Sequence, residues 1–467
     1  MDVRIKFLGA AKSVTGSKYQ LELDNKKVLI DCGLFQGVKE LRLRNWDHLP
    51  VKPAEIDFII ITHAHIDHTG YLPRVLRDGF RGKIICTHAT EALMKIMLKD
   101  AAKLQEEEAI FAFNRGYSKH KKPEPLFTEE DAEAALGLVE SYPLEKKVDL
   151  FPSLSITFHN AGHILGSAFI EARVKGNSQE KAIVFSGDLG RYDDPLMYPP
   201  ASIDHADVLL IESTYGDRIN PVRKIEDDLI SIVKEACKNN GAIIIPAFAV
   251  GRTQNLIYYF HKLMENRSIP TLPIYIDSPM AIRVTDLYES YHDINKIEVK
   301  HELGKHISLF DAPNVHYCNT REMSKSINDI KNSCIIISAS GMCTGGRILH
   351  HLVHRLPREK DTFLFAGYQA EGTRGRDILE GKKSIRVFGE DIPVNCHVRE
   401  VHGLSAHADQ LELLQWLGNF KKAPKMVFMI HGEEKVMIHF AKSIEEKLGW
   451  KTLIPEYLES VVLFQGI

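Results

Sequence analysis

Residues 62–70, THAHIDHTG, hold three histidines and one aspartate within six positions: His63, His65, Asp67 and His68. Imidazole nitrogen and carboxylate oxygen are ligands that zinc prefers. The apolar stretch IDFIII at 56–61 predicts a buried strand, so the cluster follows the carboxyl end of that strand. His63 and His65 alternate as on a strand, whereas Asp67 and His68 face another direction. The pattern favours two adjacent metal ions over one, and over a polar surface loop.

Two later segments repeat this arrangement of an apolar strand followed by a possible ligand. His163 lies in NAGHILGS at 160–167, and Asp188 lies in VFSGDLG at 184–190. Taken alone, a Gly-Asp pair is ordinary turn chemistry, and a single histidine is usually a hydrogen-bonded polar group. Beside the first cluster, both are predicted to be ligands. The two oxygens of the Asp188 carboxylate would allow it to bridge two metals.

The composition is that of a globular protein of two or three domains, with 467 residues, 44% hydrophobic residues and a formal net charge of −3. This charge argues against a large non-specific nucleic-acid surface but permits a local basic cleft. Seven cysteines without a CxxC pair argue against a disulfide framework and indicate a reducing compartment. The chain shows neither a signal peptide nor about 18 consecutive apolar residues. We therefore expect a cytoplasmic protein.

The order of secondary-structure signals divides the chain into a central part and two flanking parts. Strand patterns dominate the first seventy residues, with a hairpin turn at Asp24-Asn25. Thr90 is predicted to cap a helix over 91–104, and Thr128 with Asp131 forms a capping-box pattern before AEAALGLVE at 132–140. From about Asn220 to 394, helical stretches alternate with short apolar strands. That alternation predicts a mostly parallel sheet with covering helices.

Seven motifs in a fixed order resemble a known family. LIDCG with Asp31, the cluster at 63–68, the GH pair and the GD pair follow the order found in the metallo-β-lactamase superfamily. IESTYG with Glu212, LSAHAD with His407 and IHGEE with His431 are similar to the later motifs of its β-CASP nuclease branch. That branch includes the nuclease subunit of the cleavage and polyadenylation specificity factor, its bacterial and archaeal relatives, and the ribonuclease J group. The resemblance spans nearly the whole chain.

The resemblance implies a fold and a set of ligands. The expected fold is α/β: an αββα sandwich formed by residues 1–211 and 396–467, with an α/β β-CASP domain inserted at 212–395. Two zinc ions per chain are expected, with manganese as the alternative metal. The implied roles are His63, His65 and His163 for one zinc, Asp67, His68 and His431 for the other, Asp188 as the bridge, and Asp31 behind the ligands.

The resemblance also implies an activity. The expected enzyme is a phosphodiesterase that cleaves single-stranded RNA in processing or decay, through attack on phosphorus by a hydroxide held between the metals. Asp67 would position that hydroxide, and His407, oriented by Glu212, would act as general acid. His431 resembles the residue of the RNA-acting members, whereas DNA-repair members carry an apolar residue there. The interpretation favours endonuclease over exonuclease action.

Substrate contacts are expected in the inserted region, from loops rich in glycine and arginine. The predicted contacts are Arg252 in PAFAVGRTQN, Ser340, Gly341 and Arg347 in SASGMCTGGR, and Arg374 in GYQAEGTRGR. The basic run at 119–122 and the aromatic residues Phe35, Tyr215, Phe248 and Tyr368 are further candidates, although aromatic residues beside apolar strands more often belong to the core. Simple turn chemistry is the alternative for each loop. Single-stranded RNA is the expected partner, membranes are not, and a homodimer is one further expectation.

Three other functions stay open at this point. A small-substrate hydrolase of thioesters or lactams could use the same core, but the large insert and the set Glu212, His407 and His431 argue against it. A DNA nuclease would differ chiefly at His431. An inactive RNA-binding subunit would lose metal ligands, and here every expected ligand is present.

Overall fold

The computed structural model describes residues 1–115, 123–177, 179–220, 225–298, 300–302, 305–367, 369–370 and 372–467. The basic run at 119–122 and Tyr368 therefore lie outside the described residues. The chain forms two compact units: a first unit of residues 1–194, 198–219 and 407–467, and a second unit of residues 195–197 and 220–406. Among the described residues, no helix is long and apolar enough to cross a membrane.

One sheet of the first unit has seven strands in the order β23-β1-β2-β3-β4-β5-β6. These strands are β1 Val3–Phe7, β2 Tyr19–Leu23, β3 Lys26–Ile30, β4 Phe58–Ile60, β5 Lys83–Thr87, β6 Val139–Tyr142 and β23 Ser460–Phe464. β2 and β3 form the antiparallel hairpin that the Asp24-Asn25 turn predicts. The strands from β3 to β6 then run parallel to one another.

The second sheet of this unit has six strands in the order β22-β11-β10-β9-β8-β7. These are β7 Lys147–Phe151, β8 Leu154–Asn160, β9 Ala168–Lys175, β10 Glu180–Phe185, β11 Val208–Glu212 and β22 Met426–Ile430. Three of them, β10, β11 and β22, are mutually parallel, so their carboxyl ends share one edge of the sheet. β22 lies after the second unit in the sequence. This sheet is therefore built from residues on both sides of the segment that forms the second unit.

The first unit has two apolar layers. One lies between its two sheets, and the other covers the outer face of the second sheet. Alternate apolar residues such as Ile5, Phe158 and Phe428 fill the layer between the sheets. The opposite face of the second sheet packs against Trp416 and Phe440 of the C-terminal helices. Both layers bury apolar area, which is the main stabilising contribution to such a sandwich. The helices of this unit are α1 Lys39–Leu43, α2 Ile66–Thr69, α3 Leu72–Arg77, α4 His88–Arg115, α5 Glu129–Leu136, α12 Gln410–Leu417 and α13 Glu434–Leu448.

The second unit contains a six-stranded sheet in the order β16-β13-β17-β12-β18-β21, and every neighbouring pair in it is parallel. Its strands are β12 Ile243–Pro246, β13 Ile274–Ile276, β16 Val315–Tyr317, β17 Ile335–Ser338, β18 Thr362–Phe365 and β21 His397–Glu400, and two hairpins add β14 Lys300–Glu302 with β15 Lys305–Ile307 and β19 Ser384–Val387 with β20 Glu390–Pro393. Its helices are α6 Ile225–Lys238, α7 Arg252–Glu265, α8 Pro279–Ser290, α9 Arg321–Ser326, α10 Ile348–Arg355 and α11 Arg374–Leu379. The strand-helix alternation thus forms the parallel sheet that the sequence predicts.

Two predicted helix boundaries are wrong. α4 begins at His88, so Thr90 lies inside the helix, where its hydroxyl donates to the carbonyl of Gly166. The Thr87 hydroxyl instead accepts a hydrogen bond from the Thr90 N–H, as the side chain of an N-cap residue usually does. The capping box of Thr128 and Asp131 is present, but α5 ends at Leu136 because the following residues enter β6. A contact distant in sequence decided each boundary.

Candidate metal centre

Strand ends in the first unit bring the predicted ligands to one place. His63 and His65 follow β4, Asp188 follows β10, and His431 follows β22 directly. His163 lies in the connection between β8 and β9. Gly33 permits a close approach beside the first cluster, since a Cβ atom at that position would lie 1.5 Å from the Asp67 carbonyl oxygen. All seven predicted ligands occur in the groups of donor atoms that could hold a metal.

Three histidines and one oxygen of Asp188 form the first group. His65 Nδ1 lies 3.1 Å from His63 Nε2 and 3.2 Å from His163 Nε2. Asp188 Oδ2 lies 3.4 Å from His63 Nε2 and 3.6 Å from His163 Nε2. Four ligands at about 2.1 Å from one zinc in a tetrahedron lie about 3.4 Å from one another. The spacing of these atoms fits a single zinc ion.

The second group contains Asp67, His68 and His431 and uses the other oxygen of Asp188. His431 Nε2 lies 3.2 Å from His68 Nε2 and 3.4 Å from Asp67 Oδ2. Asp188 Oδ1 lies 3.4 Å from His68 Nε2. Asp188 therefore presents one carboxylate oxygen to each group, which is the arrangement that a bridging ligand requires.

Unpaired polar atoms in this cluster fit the same interpretation. Asp188 Oδ1 is buried and, among the described residues, accepts no hydrogen bond. A buried carboxylate oxygen without a partner costs free energy unless a proton or a cation compensates it. Imidazole nitrogens about 3.1–3.2 Å apart also repel through their lone pairs unless a proton or a metal cation lies between them. Zinc bound by these residues would remove both penalties.

Burial keeps the three histidines of the first group neutral, as zinc ligation requires. Burial lowers the pKa of His63 to about 3, and the neighbouring His68 lowers it further against the effect of Asp188. Burial likewise lowers the pKa of His65 to about 4. The pKa of His163 falls well below its usual value, because of burial and then because of the charge of His407.

The carboxylates of the cluster remain ionised for the opposite reason. Burial would raise the pKa of Asp188, but electrostatic interactions with the neighbouring imidazoles of His431, His68 and His63 outweigh burial and hold that pKa well below its usual value. The same competition lowers the pKa of Asp67, where a hydrogen bond with His431 and the charge of His68 prevail over burial. Ionised carboxylates beside the neutral imidazoles of the first group are a donor set that favours a divalent cation.

Asp31 lies behind the ligands and orients His68. Its Oδ2 atom is 2.7 Å from His68 Nδ1, so that nitrogen carries the proton and Nε2 faces the second group. Thr62 holds the carboxylate through its N–H at 2.8 Å and through its hydroxyl, which also lies 3.1 Å from His63 Nδ1. Thr62 thus connects the two groups, a role that its position before the histidine cluster did not reveal.

Glu212 and His407 lie beside the first group. Glu212 is fully buried, accepts from the N–H groups of Leu189 and Thr214, and lies 3.4 Å from His407 Nδ1. His407 Nδ1 is also 3.9 Å from Asp188 Oδ2, and its side chain keeps 20% of its exposure. Burial would lower the pKa of His407, but Glu212 and Asp188 raise it to about 9. The structure therefore brings a protonated imidazole next to the candidate ligands.

Two residues of the IESTYG motif contact candidate ligands or their neighbours. The sequence assigned no role to Thr214 and indicated Tyr215 only as an aromatic residue that could stack on bases. The Thr214 hydroxyl lies 3.0 Å from His431 Nδ1. The Tyr215 ring meets the His407 ring edge-on, with 5.7 Å between centroids. Their position directly after Glu212 was the available signal, because residues that follow a strand end share the environment of the residue at that end.

In the second unit, three of the predicted substrate residues lie at the carboxyl edge of the parallel sheet. Ser340 and Gly341 follow β17, and Arg252 begins α7 after β12. The exposed ring of Phe248 rests on Gly341, where an added Cβ would come within 3.1 Å of the ring. The Arg252 guanidinium lies against Gly367, at the end of β18. Ligands of open parallel sheets usually bind at this edge.

The other two predicted contacts, Arg347 and Arg374, are engaged within the protein. Arg347 donates to Asp277 Oδ1 at 2.8 Å and to the carbonyl oxygens of 318 and 319. Arg374 donates to the carbonyl oxygen of Arg386 at 2.8 Å and reaches those of Cys343 and Thr344. Both guanidinium groups therefore hold loop backbone at this edge of the sheet.

Three family models match consecutive parts of the chain. The model described as the metallo-beta-lactamase superfamily matches residues 19–145. The Beta-Casp domain model matches residues 253–378. The model described as a Zn-dependent metallo-hydrolase RNA specificity domain matches residues 391–455.

Named proteins match over nearly the whole chain. Ribonuclease TTHA0252 of Thermus thermophilus is 37% identical over 444 residues, which cover 94% of this chain and 95% of that protein. The RNase J-like protein of Methanocaldococcus jannaschii is 32% identical and covers 98% of both chains. Transcription termination factor FttA of the same organism is 30% identical over 98% of this chain and 71% of its own length.

A solved structure shares the fold. It is a crystal structure of a protein of unknown function from Enterococcus faecalis, with a TM-score of 0.56 and 14% sequence identity. The match covers 99% of this chain and 100% of that one. The likeness supports the arrangement of elements along the chain.

Proposed function

Because this chain belongs to the β-CASP branch of the metallo-β-lactamase superfamily, we propose that it is a zinc-dependent ribonuclease that hydrolyses phosphodiester bonds in single-stranded RNA. One observation carries the proposal: two groups of histidine and carboxylate donors share Asp188, one oxygen to each group. Two adjacent divalent cations are suited to phosphodiester hydrolysis, since they can neutralise charge on attacking and leaving oxygens.

We assign two zinc ions to these residues. His63, His65 and His163 would hold one, Asp67, His68 and His431 would hold the other, and Asp188 would contribute to both. The large share of imidazole favours zinc over manganese, which prefers oxygen ligands. Zinc, when bound, supplies Lewis acidity toward the phosphate and favours ionisation of water. The nearby carboxylate of Asp67, which is partly exposed, orients the water that attacks phosphorus.

His407 protonates the leaving oxygen of the RNA. Its imidazole lies next to the ligands but is assigned to neither metal, and its Nδ1 faces the fixed carboxylate of Glu212. Glu212 cannot turn away, because two backbone N–H groups hold its oxygens. A general acid that is held in place in this manner typically contributes about 10²–10⁴-fold to the rate.

RNA is the substrate that the relatives favour. One domain model is described by RNA specificity, and two similar proteins are named as ribonuclease and RNase J-like protein. We assign contacts with the RNA to Arg252, Ser340 and Gly341 at the open edge of the second unit's sheet. The guanidinium groups of Arg347 and Arg374 support that edge from within.

The test combines zinc content with cleavage of a labelled single-stranded RNA, in the wild type and in His407→Ala. We expect about two zinc equivalents in both proteins and a loss of cleavage of about 10²–10⁴-fold in the variant. His402→Ala is the matched control, because His402 is exposed and lies five residues upstream. Light scattering on the same samples tests for a homodimer.

Other outcomes would point elsewhere. Two zinc ions with cleavage of DNA but not RNA would indicate a DNA nuclease, and hydrolysis of thioesters or lactams alone would indicate the small-substrate enzyme. RNA binding without zinc and without cleavage would indicate an inactive subunit. Each of these results contradicts the proposed ribonuclease.

A further inference from the structure

The backbone of His431 occupies an uncommon conformation immediately after β22. Its φ is 51°, in the left-handed region that residues with a side chain rarely adopt. Its N–H donates to the carbonyl of Ala10 at 2.8 Å. Such a conformation persists only where surrounding contacts hold it.

Two hydroxyl groups from the end of β11 supply further contacts at the end of β22. The Ser213 hydroxyl donates to the carbonyl of Ile430 at 2.7 Å, directly before His431. The Thr214 hydroxyl lies 3.2 Å from the carbonyl oxygen of His431 and 3.0 Å from Nδ1 of the same residue. One side chain therefore contacts both the backbone and the ring of a candidate ligand.

These distances fit a His431 ring whose proton lies on Nδ1. When Nε2 of a neutral histidine binds a metal, its proton is on Nδ1. The Thr214 hydroxyl can accept that N–H at 3.0 Å and donate its own proton to the carbonyl of His431 at 3.2 Å. Asp188 Oδ1 lies 3.6 Å from that nitrogen, too far for a competing hydrogen bond. Nε2 faces Asp67 and His68.

The two histidines of the second group thus have different supports. His68 donates its Nδ1–H to the carboxylate of Asp31 at 2.7 Å. His431 has a neutral hydroxyl as the corresponding partner. A partner behind a metal-binding histidine fixes the ring and raises its affinity for the metal, and its loss typically costs about 10–100-fold in affinity.

We propose that Thr214 is a positioning residue that holds the ring of His431 with Nδ1 protonated, so that Nε2 is presented to the second zinc. This inference rests on the ligand assignment of the proposed function. Thr214 acts through His431 and takes no part in the reaction itself. Removal of the Thr214 hydroxyl should therefore weaken the binding of one zinc ion and leave the binding of the other unchanged.

The experiment measures both zinc affinities by competition with a chelator, in the wild type, Thr214→Val and Thr214→Ser. Valine keeps the shape of threonine without the hydroxyl, whereas serine keeps the hydroxyl. We expect one zinc equivalent to bind about 10–100-fold more weakly in Thr214→Val, and both equivalents to bind as in the wild type in Thr214→Ser.

A matched control separates this effect from a general loss of stability. Thr285 is a buried threonine of the second unit whose hydroxyl donates to the carbonyl of Ala281 and accepts from Gln254, both at 2.9 Å. Thr285→Val removes comparable hydrogen bonds without contact to a candidate ligand, so its zinc affinities should match the wild type.

Three results would overturn the inference: unchanged affinities in Thr214→Val, equal weakening of both equivalents, or no recovery in Thr214→Ser. If Thr214→Val does not fold, Thr214→Ala removes the same hydroxyl with less bulk and is read in the same manner. A wild-type protein that binds fewer than two zinc ions would instead contradict the proposed function. The failure of the ligand assignment is thus distinguishable from the failure of the role of Thr214.

Discussion

A buried aspartate follows a strand in each of the two units, and the two aspartates differ in what surrounds them. Asp188 follows β10 of the first unit, and one of its oxygens accepts no hydrogen bond among the described residues. Asp277 follows β13 of the second unit, and both of its oxygens are paired. Arg347 donates to Oδ1 at 2.8 Å, and His351 and Ser324 each bond Oδ2 at 2.7 Å.

The difference separates a candidate metal site from a structural ion cluster. Both aspartates lie near histidines, so residue type and burial do not distinguish them. The cluster around Asp277 is electrostatically complete, because a permanent cation, the guanidinium of Arg347, faces the carboxylate. Among the described residues, no arginine or lysine forms an ion pair with Asp188, and the donor atoms gathered around it form a candidate metal site.

The largest expected effect comes from Asp188→Asn. The amide cannot present two anionic oxygens, so zinc content should fall below two equivalents and RNA cleavage should drop by more than about 100-fold. Metal analysis and cleavage of labelled RNA are the measurements. Full zinc content with wild-type cleavage would show that Asp188, like Asp277, has a structural role and is not a metal ligand.

The next effect comes from Asp277→Asn, and it should concern stability alone. Removal of the carboxylate leaves Arg347 without its ionic partner in a buried cluster, which costs about 3–5 kcal/mol in the free energy of unfolding. Urea unfolding at pH 7 measures this cost, and zinc content should stay that of the wild type. Loss of zinc in folded Asp277→Asn would remove the distinction between the two clusters.

The same variant has an expected pH dependence. Burial would raise the pKa of Asp277, but the hydrogen bonds from His351, Ser324 and Arg347 outweigh burial and lower that pKa below its usual value. A lowered pKa in the folded state means that the carboxylate stabilises the wild type fully above its unfolded value and less as the pH falls through the folded value. The stability curves of wild type and Asp277→Asn should therefore converge below about pH 4. Both proteins keep the same zinc ligands, so metal loss cancels in the difference.

The smallest effect provides a reference for both clusters. Lys83 and Glu140 form an ion pair of 2.6 Å at the edge of the first sheet, and about half of each side chain is exposed. Such pairs contribute about 0–1 kcal/mol, because water screens them and ordering the side chains costs entropy. Urea unfolding of Lys83→Ala should show a change of less than about 1 kcal/mol in the free energy of unfolding. A loss in the free energy of unfolding as large as that of Asp277→Asn would show that the contribution of an ion pair does not depend on its burial.

Motif order predicted the family, and the periodicity of apolar residues predicted most strands. The hairpin at Asp24-Asn25 and the capping box of Thr128 are confirmed, since turn and cap chemistry acts over a few residues. The start of α4 was missed, because the carbonyl of Gly166 engages Thr90 from a distant part of the chain. The ligand assignment and the role of His407 stay predictions until the experiments above are done.

The sequence by itself determined which residue types were available to the site and where strands would end, because ligand chemistry and apolar alternation are local properties. It also indicated RNA as substrate through its resemblance to a family. Only the tertiary structure decided which oxygen of Asp188 faces each group, that Thr214 lies behind His431, and that Arg347 is occupied by Asp277. Those facts depend on how parallel strands far apart in sequence align their ends, and the number of residues between two motifs does not encode that alignment.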